Sequence, residues 1–268
     1  MLETSDRGSS WFVRGEAQAH GIREARSGAD REGIVNEKVW RLQCCTLFER
    51  LSPLELSRLE SRSRIRTFPR KSPIYSPADD ASSVLLLTKG RAKLCSLNSD
   101  GKQAILAFIE PGELFGELAV LGLRSREERA EAVETSTVVA IPGEEIEALM
   151  ERHPSVSLAI TKLIGLRRRR IERRLRHLLF HSTRERLLHL LLELAEQYGV
   201  ATPGGIALKV KMSHQDLADV IGASRESVTL RLGELQAEGW LSVVKRKITL
   251  TDVNRLAASL ESAPPVLL

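Results

Sequence analysis

The spacing of apolar residues changes twice along this chain, and each change marks a different kind of structure. Residues 1–36 show no sustained period. They are rich in Gly, Arg and Glu, with only Trp11 and Phe12 as large aromatics, and read as a disordered tail. Glu37–Phe48 reads as a short helical piece. In the following "LSPLELSRLESRSRIRTF", Ser52 is placed to cap a helix that opens with Pro53, and Glu55 stands three residues after the cap. From about Ile65 to Pro142 the pattern becomes short apolar runs: Val84–Thr88, Ala92–Leu97, Gln103–Ile109 and Val133–Ile141. Turn sequences part them at Lys89-Gly90, Asn98-Ser99-Asp100-Gly101 and Pro111-Gly112. Many short strands at regular spacing predict an antiparallel roll or barrel.

Beyond Pro142-Gly143 the period turns helical. Gly143–Glu151 is a short helix, and Pro154 opens a long one that runs to about His181. On it Ile160, Ile164, Ile171, Leu175 and Leu178 form one stripe with charged flanks, which predicts a two-stranded seam in a symmetric dimer. Ser182–Gly199 is another amphipathic helix. "ATPGG" reads as a loop, Ile206–Val210 as a strand, and "LSVVKRKITL" as a hairpin turning at Lys245–Lys247.

Composition narrows the class. The chain has 268 residues, 42% apolar and 28% charged, which suits two folded domains. No apolar run is long enough to span a membrane, and no secretory h-region opens the chain, so the expected location is the cytoplasm and no membrane partner is expected. Cys44, Cys45 and Cys95 fit neither a disulfide framework nor an ordinary zinc or iron–sulfur spacing. The six histidines are scattered along the sequence, no catalytic residues are identified, and no metal is expected. The net charge of +5 is uneven. Residues 161–181 carry +7, residues 1–160 carry −2, and residues 182–268 are neutral.

The neutral segment nevertheless holds the pattern that bears function. Ser213 caps a first helix, with Asp216 three residues on; Leu217, Ala218 and Ile221 form its inner face. Gly222 makes a sharp turn, Ser224 caps a second helix, and Val228, Leu232 and Leu235 face inward. This is a helix-turn-helix, and the hairpin after it makes it a winged one. Arg225, Glu226 and Thr229 then point outward from the start of the second helix. A cation is unfavourable in a helical first turn, so Arg225 needs a reason. Reading a base supplies one: arginine forks onto guanine and glutamate accepts from cytosine. Ser213, His214, Gln215, Ser224, Lys245, Arg246 and Lys247 are candidates for phosphate contact.

These residues carry a resemblance. "IGASRESV" is similar to the recognition helix of the Crp/Fnr family of transcription regulators. "PGELFGELAVL" resembles the phosphate-binding cassette of the family's cyclic-nucleotide-binding β-roll, and "RERLLHLLLELA" the helix that opens its DNA-binding domain. "SHQDLADVIGASRESVT" and "KRKITL" look much like the cyanobacterial global nitrogen regulators. The likeness covers about residues 40–255. It implies an α+β chain with a tail (1–36), a cyclic-nucleotide-binding-like β-roll (37–152), a dimerisation helix (153–181) and a winged helix-turn-helix (182–262). It also implies a homodimer on two-fold symmetric duplex DNA, RNA polymerase as partner if the protein activates, and in many members a small effector held between roll and helix.

Two departures bear on function. The family's second base-reading arginine falls where this chain has Leu230-Arg231. Leu230, two residues past inward-facing Val228, faces the groove, so an apolar contact to a thymine methyl and a different half-site are expected. In cyclic-AMP binders the cassette's Gly-Glu is paired with a later Arg-Ser or Arg-Thr. Gly116, Glu117 and Leu118 fit the cassette. Arg126, or Arg129 with a one-residue gap, takes the arginine position, but Glu127 follows Arg126 where a hydroxyl belongs. The adenine-recognising hydroxyls of the long helix are replaced by Ile171 and Glu172. No cyclic AMP response and no cofactor are therefore expected.

In "GLRRRRIERRLRHLLF", seven arginines at about 100° per residue cannot form one stripe. Arg169, Arg173 and Arg176 are expected in solvent or beside neighbours. Arg167, Arg170 and Arg174 are expected to face the roll or a partner helix, pairing with acids such as Glu172 and Glu127 or holding an anionic effector. The competing readings are a cyclic-nucleotide-responsive activator and an RNA- or anionic-surface-binding protein that uses this helix.

Overall fold

The computed structural model describes Leu42 and residues 44–244 and 247–267. The tail, half of the predicted helix Glu37–Phe48 (residues 37–41 and 43), and Lys245 and Arg246 lie outside the described residues; of the rest of that helix, Thr46–Phe48 forms a single 3-10 turn. The chain forms two compact units that part within the long helix, between Arg173 and Arg174.

In the first unit α1 (Pro53–Arg62) starts as its sequence requires. The Ser52 hydroxyl accepts from the Glu55 N–H, and the Glu55 carboxylate accepts from the Ser52 N–H. Eight strands follow: β1 (Arg64–Phe68), β2 (Pro73–Tyr75), β3 (Ser83–Lys89), β4 (Ala92–Leu97), β5 (Gln103–Ile109), β6 (Leu114–Phe115), β7 (Arg129–Ala132) and β8 (Ser136–Pro142). They make two antiparallel sheets, ordered β1-β8-β3-β6 and β2-β7-β4-β5. Then come α2 (Gly143–Arg152) and the long helix α3 (Pro154–Phe180).

Alternation along β3 and β8 explains the layers. Leu85, Leu87 and Val138 face the other sheet and meet Tyr75, Leu94, Ile109 and Phe115. Val84, Leu86, Val139 and Ile141 face the opposite way, into a core shared with Leu56, Leu59, Ile146, Leu149, Val156 and Ile160. β3 and β8 are thus buried on both faces, and their continuous apolar runs follow from that.

The predicted run Val133–Ile141 needs correction. Residues 133–135 form a bend, with the Val133 N–H donating to the Arg91 carbonyl, and the strand begins at Ser136. The seam prediction is corrected at Ile160, which is 2% exposed and part of the roll's own core. Ile164 is partly buried against the same core. The first turns of α3 are pulled inward because α2 and β8 offer an apolar surface there.

In the second unit α4 (Thr183–Tyr198) is capped by Ser182 and Glu185 in the same reciprocal way as α1. β9 (Gly199–Thr202) runs into the expected loop and makes a hairpin, turning at Pro203-Gly204, with β10 (Gly205–Leu208), which falls on the strand expected at Ile206–Val210. α5 (His214–Ile221) and α6 (Arg225–Ala237) follow, then β11 (Leu241–Val244), β12 (Lys247–Leu250) and α7 (Val253–Ala258). The strands form one sheet, β11-β12-β10-β9. No described helix is long and apolar enough to cross a membrane.

Candidate nucleic-acid interface

Local chemistry sets the angle between α5 and α6. Ser213 and Asp216 cap α5 reciprocally. Gly222 ends it in the left-handed region (φ 63°), and a Cβ there would stand 2.8 Å from the Leu178 side chain. Ser224 caps α6 by accepting from the Ser227 N–H. Leu217, Ala218, Ile221, Val228, Leu232 and Leu235 are all buried, which fixes the opposite side of α6 as the outer one.

On that outer side Arg225, Glu226, Thr229 and Leu230 are exposed, Leu230 by 59%. Among the described residues the Arg225 side chain makes no hydrogen bond or ion pair. Thr229 is less free: its hydroxyl donates to the Arg225 carbonyl (2.9 Å), so its oxygen accepts from His214 Nδ1–H (2.8 Å). Gln215 donates to Asp219 at 2.7 Å, and the hydroxyls of Ser213 and Ser224 are engaged as caps. Lys247 is exposed at the start of β12. Lys211, exposed two residues before the Ser213 cap, adds a cation that the sequence reading passed over; its place beside a helix start was the available signal.

Two acids of this unit, Glu234 and Glu238, are neutralised from within. Arg231 bonds Glu234 (2.8 Å), and Arg184 forks onto Glu238 (2.9 and 2.6 Å) while lying over the Trp240 ring, with Arg255 also 5.1 Å from that ring. Arg231 is therefore turned to an internal partner, while Leu230 holds the outward position. A module without net charge can in this way present an unpaired arginine.

The cassette of the first unit is equally specific. Gly116 takes φ 66°, and a Cβ there would lie 2.4 Å from Arg126 Nη1. Arg126 is buried, donates to the carbonyls of Gly116 (2.9 Å) and Ser83, and lies 4.6 Å from the Tyr75 ring centre. Its Nε is buried without a hydrogen-bond partner among the described residues. Arg129, the alternative arginine, pairs with Glu131 at 3.2 Å. Glu127 is exposed, and Glu128 accepts from the Tyr75 hydroxyl at 2.6 Å. Glu117 is buried, and its carboxylate is held at 2.5 Å by Arg167 of α3, which also donates to the Leu114 carbonyl. Burial pushes the nearby Glu113 carboxyl above the usual range, against the pull of Arg167 and Arg170.

Further along α3, Glu172 is half exposed and pairs with Arg168 (2.7 Å), while Arg174 lies 3.6 Å from Glu193 of α4. Arg169, Arg173 and Arg176 are exposed, and so are Ile171, Leu175 and Leu178. Leu118 is partly buried beside Glu117.

Comparison with known proteins agrees with this geometry. The signature of the cyclic nucleotide-binding domain matches residues 65–153, and that of the Crp-like helix-turn-helix domain matches residues 185–259. The chain belongs to the Crp/Fnr family of transcription regulators, and its second unit carries the family's DNA-binding helix-turn-helix. The global nitrogen regulator of Synechocystis sp. is 34% identical over 188 residues, 69% of this chain and 84% of its own length. The cyclic AMP receptor protein of Thermus thermophilus is 32% identical over 193 residues, 72% of this chain and 86% of its own. Among solved structures, FixK2 from Bradyrhizobium japonicum superposes with a TM-score of 0.65 at 25% identity, covering 76% of this chain and 99% of that one. The family is one of transcription regulators, not of enzymes.

Proposed function

We propose that the protein binds a two-fold symmetric duplex site as a homodimer and does so without cyclic AMP. The observation that carries the DNA reading is Arg225: exposed, unpaired among the described residues, and on the first turn of a capped helix whose other face is buried. Glu226 and Leu230 share its surface, and the caps at Ser213 and Ser224 leave helix N-termini for backbone phosphates. Such a protein works where the DNA is, in the cytoplasm. The homodimer is supported by Ile171, Leu175 and Leu178, which with Leu179 and Phe180 leave the second half of α3 with an apolar surface in need of cover.

The independence from cyclic AMP is supported by the Arg167–Glu117 pair. Glu117 is the residue that the family resemblance assigns to the ligand's ribose, and here an arginine of the same chain holds it. Ile171 and Glu172 offer an adenine no paired hydroxyls. A second reading, an anionic effector, is favoured by the buried, unpartnered Arg126 Nε. Two experiments test the proposal. Selection from random duplexes should return a palindrome whose half-site departs, at the step facing Leu230, from the TGTGA-type half-site that the family resemblance implies; an unaltered TGTGA half-site contradicts that role for Leu230. Calorimetry should detect no micromolar binding of cyclic AMP, and micromolar affinity contradicts the effector reading.

A further inference from the structure

The histidines that look scattered in the sequence are not scattered in space: three of the six meet at the break between α3 and α4. His177 lies in the last turn of α3. His181 follows that helix, but its N–H still donates to the His177 carbonyl at 3.0 Å, so the helical path continues and the i, i+4 pair shares a face. His189 comes from the second turn of α4. The His177 and His189 rings stack with centres 4.1 Å apart, and His181 meets them edge-on at 5.2 and 5.0 Å. One nitrogen from each ring lies within 4.8 Å of the others.

We propose that His177, His181 and His189 bind a divalent transition metal of the zinc type. Three imidazole nitrogens are the donor set of an open tetrahedral site. At zinc–nitrogen distances of about 2.0–2.1 Å the nitrogens must close to roughly 3.3 Å on binding. All three residues are half-buried, so solvent reaches the site.

Neutral imidazoles select zinc, copper, nickel or cobalt over magnesium and calcium. Glu185 Oε2 lies 3.8 Å from His181 Nδ1, and Ser182 holds that carboxylate in place through the α4 cap. A carboxylate behind one imidazole nitrogen orients the ring and leaves Nε2 for the metal. Arg174 and Arg186 line the adjoining pocket with His177. Arg174 is offset by Glu193, and Arg186 donates to the Thr183 hydroxyl at 3.1 Å. The fourth position is left to water. The metal would tie the last turn of α3 to α4 across Ser182, whose extended backbone (φ −64°, ψ 162°) breaks the helical path.

The test uses the full-length protein, stripped with a chelator and desalted. Calorimetric titration with zinc should give one equivalent per chain. Cobalt should give visible d–d bands without a thiolate charge-transfer band, since burial pushes the Cys45 thiol up to about 12. His189→Gln should weaken zinc binding at least about tenfold, because even losing an outer-shell partner costs about that much. No zinc binding by the wild type, a thiolate band, or unchanged affinity in His189→Gln would overturn the proposal. If that variant does not fold, carbethoxylation of the wild type mapped by mass spectrometry decides. Zinc should protect His177, His181 and His189 but not His153 or His214, and equal modification with and without zinc rejects the site.

Discussion

Arg167, Arg168 and Arg174 on α3 end on carboxylates of the same chain, whereas the side chain of Arg225 on α6 meets no partner among the described residues. The first set lies in a segment of net charge +7, the second in a unit of net charge zero. Local charge density would have chosen the wrong helix for the DNA interface. What separates the two is where the acids are: Glu117, Glu172 and Glu193 reach the arginines of α3, while Glu234 and Glu238, paired with Arg231 and Arg184, stand nine and thirteen residues along from Arg225, too far to reach it.

The comparison can be broken most forcefully at Arg167. Its side chain is 14% exposed and that of Glu117 11%, so Arg167→Ala strands a largely buried carboxylate. The expected loss of stability is about 3 kcal/mol in denaturant unfolding, with DNA affinity per folded molecule unchanged. An unchanged unfolding midpoint would mean that the pair is incidental. Gly222→Ala should cost about 1–2 kcal/mol, because alanine resists φ 63° and its Cβ presses on Leu178. It should also weaken DNA binding by shifting α6 against α5. Ser213→Ala removes the α5 cap and should cost about 1 kcal/mol in thermal unfolding, with at most a small effect on specificity.

The smallest expected effect is an acid one. Hydrogen bonds from His153 and then from Ser52 pull the Glu55 carboxyl down to about 2. A carboxyl lowered on folding stabilises the fold above its unfolded value, and that contribution fades as the pH falls from about 4.5 towards 2. Glu55→Gln should therefore flatten the acid limb of the stability curve in that window, and an unaltered limb would show that the interaction does not stabilise the roll.

Features set by a few adjacent residues were legible in the sequence. The caps at Ser52, Ser213 and Ser224, the turn at Gly222, the limits of β4 and β5, and the outward face of Arg225 all follow from such signals. Features set by distant packing were not. β7 reads as polar because its inward residues are only Ala130 and Ala132, while Arg129 and Glu131 pair on its other face. Ile160 fits the helical stripe perfectly well, yet the roll takes it, because period cannot tell which apolar surface a stripe will meet. The Arg167–Glu117 pair joins residues fifty apart, and the histidine cluster spans a helix break that spacing alone does not bridge.

The central claim is that an unpaired arginine in a neutral module, and not the arginine-rich helix, reads DNA. Fluorescence anisotropy on a duplex carrying the selected palindrome tests it most directly. Arg225→Ala should weaken binding by about 2 kcal/mol, roughly thirtyfold, and relax preference at one base pair of each half-site. The double variant Arg168→Gln/Arg169→Gln should bind within about twofold of the wild type, since exposed charges away from the duplex are screened by salt. Loss of binding in the double variant, with Arg225→Ala unaffected, would contradict the account.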